Sequence, residues 1–422
     1  MVCGVVSMNI CIYGYGLEGK STEEFLKKHF EDLSIVVFDE KTKGKSIFEP
    51  QTYDLIFVSP GVDRHKKIPK EFWSKCTSQI EYFFTLLPEH KRKKVIGITG
   101  SKGKSTTTKF CAEFLEKVGY KASVAGNFGK PFLDVLDDFL LDKYDFIVAE
   151  ISSFQAEFLS VSPHISIFLS FFPEHLDRHG DETKYLSAKA NCWKHQKDED
   201  FLIFPDTLSS FTELQRICPN KNRLILSEPL PEDFFLEDSI FRASHFCQNF
   251  GTITALGKVL EIKNTKQVLK KLAERFIGLP HRSEFVGEKK GMSFYNDSIA
   301  TGPDAVVRAI DFFEDRLGYL LLGGQSGGGN FDILAKALIS KKFVGKVIIT
   351  DSPILTVFEV SAKKAGFSRY EVVKDFTEAM KIVFGAPMKD KICLLSPAGK
   401  SFDQYPNYGA RGDHFRKIVQ GV

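Results

Sequence analysis

Short apolar runs, each closed by a glycine-bearing turn and followed by a longer stretch of helical character, recur along the chain. That alternation predicts parallel sheets with crossover helices. Strands predicted at 9–13, 34–38 and 55–58 form a first block. It ends in Leu87-Pro-Glu-His-Lys-Arg-Lys-Lys94, whose proline and basic run read as a solvated linker. A second block opens with a strand at 95–98, continues through apolar runs at 144–149 and 165–169, and closes near 276. The segment Ile277-Gly-Leu-Pro-His-Arg282 marks the next break, and strands near 292–295, 319–322, 346–349 and 392–395 make a third block. The expected fold class is α/β with three domains. Residues 1–88 and 279–422 are read as Rossmann-like, and 89–278 as a P-loop ATPase-type sheet.

A length of 422 residues agrees with more than one core. The 57 Lys and Arg against 54 Asp and Glu leave a net charge of +3, too small to favour nucleic acid or an anionic membrane as the main partner. No apolar stretch approaches the ~20 residues of a membrane span. The opening run MVCGVVSMNICIYGYG lacks a basic leader and ends in a glycine turn, so it reads as a strand and not as a signal peptide. The cysteines at 3, 11, 76, 111, 192, 218, 247 and 393 form no CxxC pair and read as reduced, mostly buried thiols of a cytoplasmic protein. Forty phenylalanines point to a core that leans on one aromatic.

The most specific chemistry lies at Gly97-Ile-Thr-Gly-Ser-Lys-Gly-Lys-Ser-Thr-Thr107, between the strand at 95–98 and a helix predicted over 104–118 with Gly119 at its C′ position. Such a loop wraps backbone N–H groups round a phosphate. Lys104 reaches the terminal phosphates and Ser105 can ligate Mg²⁺. Gly100, Ser101, Lys102, Gly103 and Thr106 complete the candidate nucleotide loop. Glu150 ends the apolar strand where P-loop enzymes keep a metal-binding carboxylate, although a strand-end Glu can simply be exposed. His175 follows the run at 165–169 and so falls at the C-terminal edge of the sheet, where α/β ligand sites form; a structural histidine fits equally. Lys189 sits on a helix predicted over 184–195, where a lysine is usually solvated. At the N-terminus, Gly14-Tyr-Gly-Leu-Glu-Gly19 with Asp39 at the next strand's end reads by itself as a dinucleotide site.

Taken in order, GITGSKGKST, Gly126-Asn-Phe-Gly129, Glu150-Ile-Ser-Ser-Phe-Gln155, Glu174-His-Leu-Asp-Arg-His179 with Ala188-Lys189, and Leu279-Pro-His-Arg282 resemble the Mur ligases of peptidoglycan synthesis. Asn296-Asp-Ser-Ile-Ala-Thr301, Leu322-Gly-Gly324, the ending Ser396-Pro-Ala-Gly-Lys-Ser-Phe-Asp-Gln-Tyr-Pro-Asn-Tyr408 and Arg411-Gly412 are similar to the D-glutamate-adding branch. The resemblance spans nearly the whole chain. It implies an ATP-dependent ligase that joins D-glutamate to UDP-N-acetylmuramoyl-L-alanine through an acyl phosphate. It also implies a monomer that binds neither nucleic acid nor membrane.

By the same resemblance, Ser105 and Glu150 hold one Mg²⁺. His175 holds a second, fixed with the help of Lys189 as a carbamate. Asn127 meets substrate or phosphate, and Asn249, Arg282 and Asp297 contact ATP, reached across the interdomain hinge. Leu17, Glu18, Ser59 and Gly61 line the UDP-sugar site, so the N-terminal glycine motif serves UDP and not NAD. Ser401 and Tyr408 fall at D-glutamate positions.

Two departures from the family pattern concern charge. Gln325-Ser-Gly-Gly-Gly-Asn330 carries none where the family has an acidic residue and a lysine, and Ile299 stands at a lysine position. Lys400, where the family tends to have a small residue, is the candidate replacement cation; a solvent-facing loop lysine is the alternative. Lys102 stands where the family often has Asn. Three other functions compete: a Mur or folylpolyglutamate-type amide ligase using another amino acid, a P-loop kinase or NTPase, and a non-catalytic nucleotide-binding module. The Asp403-Gln-Tyr-Pro-Asn-Tyr408 ending argues against the first, the third block with Lys189 and His175 against the second, and the intact metal-ligand set against the last.

Overall fold

The computed structural model describes residues 8–40, 48–172, 174–208, 223–236, 239–327, 329–340, 343 and 345–421. Cys3, Cys218, residues 1–7 of the opening run and Gly328 of the charge-free loop lie outside them. The chain divides into two compact units, Met1–Phe276 and Ile277–Val422. The first holds two sheets and the second holds one.

Strands β1 (Met8–Tyr13), β2 (Leu33–Phe38), β3 (Leu55–Val58) and β4 (Cys76–Thr77) form a parallel sheet in the order β2-β1-β3-β4. Between β1 and β2 runs helix α1 (Leu17–His29), whose first turn follows the glycine motif. Gly14 takes a φ of +92°, and a Cβ on Gly19 would stand 2.2 Å from the Gly14 carbonyl oxygen. The first glycine thus makes the turn, and the last lets helix and strand close up.

The second sheet has the order β10-β9-β8-β5-β7-β6, all parallel, from β5 (Val95–Thr99), β6 (Ala122–Gly126), β7 (Phe146–Glu150), β8 (Ile165–Phe168), β9 (Phe201–Pro205) and β10 (Leu224–Ser227). β5, β7 and β8 are buried along their whole length. That is why they read as unbroken apolar runs. Its helices include α2 (Lys104–Lys117), α3 (Ser153–Ala156), α4 (Leu176–His179), α5 (Glu182–Lys194) and α6 (Ser244–Val259). Gly119 sits just past α2 with a φ of +98°, the left-handed stop that the sequence predicts. Phe110, Phe241, Phe250 and Phe276 pack ring on ring between α2 and α6.

One expectation is overturned. The stretch 87–94 is no solvated linker: Glu89–Arg92 is a helical turn in which Lys91 and Arg92 are buried. Arg92 donates to both carboxylate oxygens of Asp200 at 2.9 Å and to the Ser162 carbonyl at 3.1 Å. The basic run is visible in the sequence, but its acidic partner stands far along the chain.

The second unit's sheet has the order β11-β12-β16-β13-β14-β15. It comprises β11 (Glu284–Lys289), β12 (Met292–Asn296), β13 (Leu317–Gly323), β14 (Lys346–Thr350), β15 (Tyr370–Val373) and β16 (Ile392–Ala398), parallel except for the β11–β12 hairpin. α7 (Phe331–Ile339) follows β13, and α8 (Tyr408–Gln420) follows β16. β13 and β16 are neighbours whose chains then leave in opposite directions, so their carboxyl ends form a topological switch point, where α/β sheets bind ligands. Cys11, Cys111, Cys192, Cys247 and Cys393 are buried and Cys76 is half-buried, all free thiols.

Candidate active site

In the first unit the candidate residues converge on the carboxyl edge of the second sheet. The loop after β5 needs its glycines: Gly100 and Gly103 take φ values of +149° and +83°. A Cβ on Gly103 would stand 2.1 Å from Nδ2 of Asn249, which is buried on α6. The predicted nucleotide residues Gly103 and Asn249 are therefore in contact. Ser101 is buried and donates to the Phe172 carbonyl at 2.9 Å, while its N–H reaches the Ser170 carbonyl at 2.8 Å. Lys104 folds back on its own loop, donating to the carbonyls of Gly100 and Ser101 at 3.0 Å. Lys102 pairs with Glu174, which accounts for an otherwise unexplained loop lysine. Ser105 is half-buried and Thr106 is buried at the start of α2.

Glu150 is not an exposed strand end but is buried at the end of β7, beside β5. Its Oε1 accepts from Nδ2 of Asn127 at 2.7 Å. Its Oε2 is buried without a partner among the described residues. Lys189, on α5, is 1% exposed and donates to the Gly100 carbonyl at 2.7 Å, with its Nζ 4.6 Å from the centre of the Tyr185 ring. Burial, with the nearby Lys104 charge, pulls its ammonium from the usual lysine range down to about 7. His175 starts α4 with a left-handed φ of 56°, its ring 4.9 Å from that of Phe154. Partial burial leads the lowering of its pKa, which Lys189 and Lys104 reinforce and Glu174 opposes.

A cavity of about 520 Å³ opens between the N-terminal glycine loop and the loop after β6. Leu17, Glu18, Ser59, Gly61 and Asn127 all line it. Leu17 is 81% exposed, an apolar face free to meet a flat ring. Ser59 donates to the Gly14 carbonyl at 2.7 Å, and the carboxylate of Asp39 accepts the Tyr15 N–H at 2.6 Å. Glu18 accepts from Gln155 at 2.6 Å, yet burial pushes its carboxyl up to about 7.

In the second unit Asp297 is buried, accepting from the Ser283 N–H at 3.0 Å and the Ser396 hydroxyl at 2.9 Å, and burial pushes it up to about 6. Arg282 is half-buried, and its charge acts on Asp297. At the carboxyl ends of β13 and β16, Gln325 and Lys400 exchange backbone hydrogen bonds of 2.7 and 2.8 Å. Ser401 is buried beside Lys400, and Tyr408 is exposed at the start of α8. Half-buried Ile299 follows Ser298. Beneath them lies Arg411, fully buried, which donates to the carbonyls of Ser298 at 2.8 Å and Gly399 at 3.0 Å. It thereby pins the loops that carry Ile299 and Lys400.

The Mur ligase middle domain family matches residues 98–263. The chain is 31% identical over 439 aligned residues to the UDP-N-acetylmuramoylalanine–D-glutamate ligase of Clostridium botulinum (strain Okra / Type B1), covering 96% of this chain and 92% of that one. This chain belongs to the Mur ligase family. Among solved structures, the UDP-N-acetylmuramate–alanine ligase MurC of Thermotoga maritima matches with a TM-score of 0.59 at 16% identity, covering 98% of this chain and 99% of that one. The MurF ligase of Thermotoga maritima in complex with ADP matches with a TM-score of 0.57 at 14% identity, covering 98% and 96%. These two establish the likeness of fold.

The metal implied for a Mur ligase can be tested against this site. Among the described residues no group of three His, Cys, Asp or Glu side chains could hold an ion alone. The unpartnered Glu150 oxygen beside the phosphate loop fits Mg²⁺, which takes one or two protein oxygens and completes its shell with phosphate and water. Gln155, Arg178 and Tyr185 of this Mur ligase carry no role that the sequence alone assigns. Gln155 closes the segment Glu150–Gln155 and Arg178 lies within Glu174–His179, and the signal available for Arg178 is its position one helical turn after His175.

Proposed function

We propose that this Mur ligase uses ATP to join D-glutamate to UDP-N-acetylmuramoyl-L-alanine in cytoplasmic peptidoglycan precursor synthesis. The observation that carries the reading is the convergence, in one unit, of a phosphate loop, an unpartnered buried carboxylate, a buried lysine and a cavity of nucleotide-sugar size. The name of its D-glutamate-adding relative supplies the amino acid.

The substrate carboxylate attacks the γ-phosphorus of ATP, and the bond to ADP breaks. The resulting acyl phosphate is attacked by the amine of D-glutamate. The amide forms, the carbon–oxygen bond to phosphate breaks, and the amine loses a proton. Phosphorylation supplies a leaving group that a carboxylate lacks. The protein's part is to bring anions together and hold them in line. Gly100, Ser101, Lys102, Gly103, Lys104, Ser105 and Thr106 cradle the phosphates, with Asn249 against the loop. Mg²⁺, held by Ser105 and Glu150 with a second ion at His175, would neutralise the phosphate oxygens when bound. A Lys189 amine lowered to about 7 is available in its neutral form, the form that adds CO₂ to give a carbamate and release a proton.

Arg282 and Asp297 are assigned to the nucleotide, and Lys400, Ser401 and Tyr408 to D-glutamate. The assignment of residues 1–88, 89–278 and 279–422 to UDP-sugar, ATP and amino-acid domains belongs to this proposal, as does a monomeric state. No described helix is long and apolar enough to cross a membrane. Substrate labelled with ¹⁸O in its carboxylate tests the acyl phosphate. The label is expected in the phosphate released, and unlabelled phosphate would exclude that route.

A further inference from the structure

Arg178 is not among the residues that line the cavity, yet it holds part of the wall. It lies on α4, the short helix that His175 begins. Its guanidinium donates to the Pro60 carbonyl at 2.5 Å and to the Val62 carbonyl at 2.9 Å. Those carbonyls flank Gly61 and follow Ser59, and all four residues 59–62 line the cavity. An arginine fork that spends two nitrogens on one loop's backbone sets the shape of that loop, because its planar geometry fixes both acceptors at once.

The other side of the guanidinium is equally constrained. It stacks 4.3 Å over the Phe154 ring, and that ring packs 4.9 Å from His175 and 5.4 Å from His179. Glu157 stands 3.8 Å away but is shared with Arg64 at 3.7 Å and with His65. The ion pair is therefore long and divided, while the two carbonyl bonds are short. A parallel tie joins Gln155 on α3 to Glu18 on α1, at 2.6 Å. Two walls of the cavity thus hang from the segments that follow Glu150 and His175.

We infer that Arg178 is a positioning residue for the nucleotide-sugar, holding the 59–62 loop in its binding shape without touching the ligand. The inference rests on the reading of the cavity given above. Calorimetric titration with UDP-N-acetylmuramoyl-L-alanine, without ATP or metal, tests it in the full-length protein and in Arg178→Met and Arg178→Lys. A parallel titration with a non-hydrolysable ATP analogue, and the thermal midpoint, report on the fold. Arg178→Met is expected to weaken the nucleotide-sugar about tenfold or more, as the loss of charged hydrogen bonds does. Arg178→Lys, able to reach one carbonyl, is expected to fall between, with affinity for the ATP analogue nearly unchanged. Wild-type affinity in Arg178→Met, or an equal loss for both ligands, would overturn the inference. A wild-type protein that binds the ATP analogue but not the nucleotide-sugar would overturn the reading of the cavity, and the inference with it.

Discussion

A lysine that is 1% exposed, bonded to the Gly100 carbonyl and near Lys104, holds its proton weakly at neutral pH. Lys189 is protonated below about 7 and neutral above it, and only the neutral amine can take up CO₂. Enzyme stripped of CO₂ is therefore expected to lose activity and to regain it with bicarbonate, more completely as pH rises through 7. Activity indifferent to CO₂ removal would contradict the carbamate. The same shift has a consequence for stability. Between about 7 and the ordinary 10.5 the folded CO₂-free chain binds fewer protons at this site than the unfolded chain, so stability rises with pH across that window. Lys189→Met should abolish that rise in pH-dependent thermal unfolding. Read from residues alone, Lys189 was one helical lysine among many. Its burial comes from Gly100 and Tyr185, and only the resemblance singled it out.

Elements were more legible than their surroundings. The central strands of each sheet begin within about two residues of their predicted starts and end within about three of their predicted ends, because buried parallel strands are written as unbroken apolar runs. Stretch 87–94 was misread because charge near a proline looks solvated until Asp200 is seen to meet Arg92. The loops after β13 and β16 carry a prediction of their own. They meet at a topological switch point, and Lys400 lies with its Cε 3.4 Å from where a Cβ on Gly327 would be. The long side chain of Lys400 thus occupies the space that a glycine-rich loop leaves open. Lys400→Ala is expected to raise the KM for D-glutamate about tenfold, the loss of one charged contact, with the KM for ATP nearly unchanged. An unchanged KM for D-glutamate would return Lys400 to the role of a solvent-facing lysine.

Across the whole molecule, the order of strand blocks was readable, whereas the contacts that tie distant segments within a unit were not. Arg92, Asp200 and His164 form one such tie, with His164 Nδ1 2.6 Å from Asp200. Arg92→Leu removes one side of a buried pair and is expected to destabilise the first unit by about 3–5 kcal/mol, read from urea unfolding followed by Trp193 fluorescence. A change below about 1 kcal/mol would mean that the pair is spectator to the fold. The cavity is likewise not legible in the sequence, although the resemblance implies Leu17, Glu18, Ser59 and Gly61 among its lining. The central claim, that these parts make a D-glutamate ligase, is tested most directly by phosphate release from ATP and Mg²⁺ with UDP-N-acetylmuramoyl-L-alanine, comparing D-glutamate, L-glutamate, D-aspartate and no amino acid. Release that requires both the nucleotide-sugar and D-glutamate is the predicted result; release that needs the nucleotide-sugar but is indifferent to D-glutamate would contradict it.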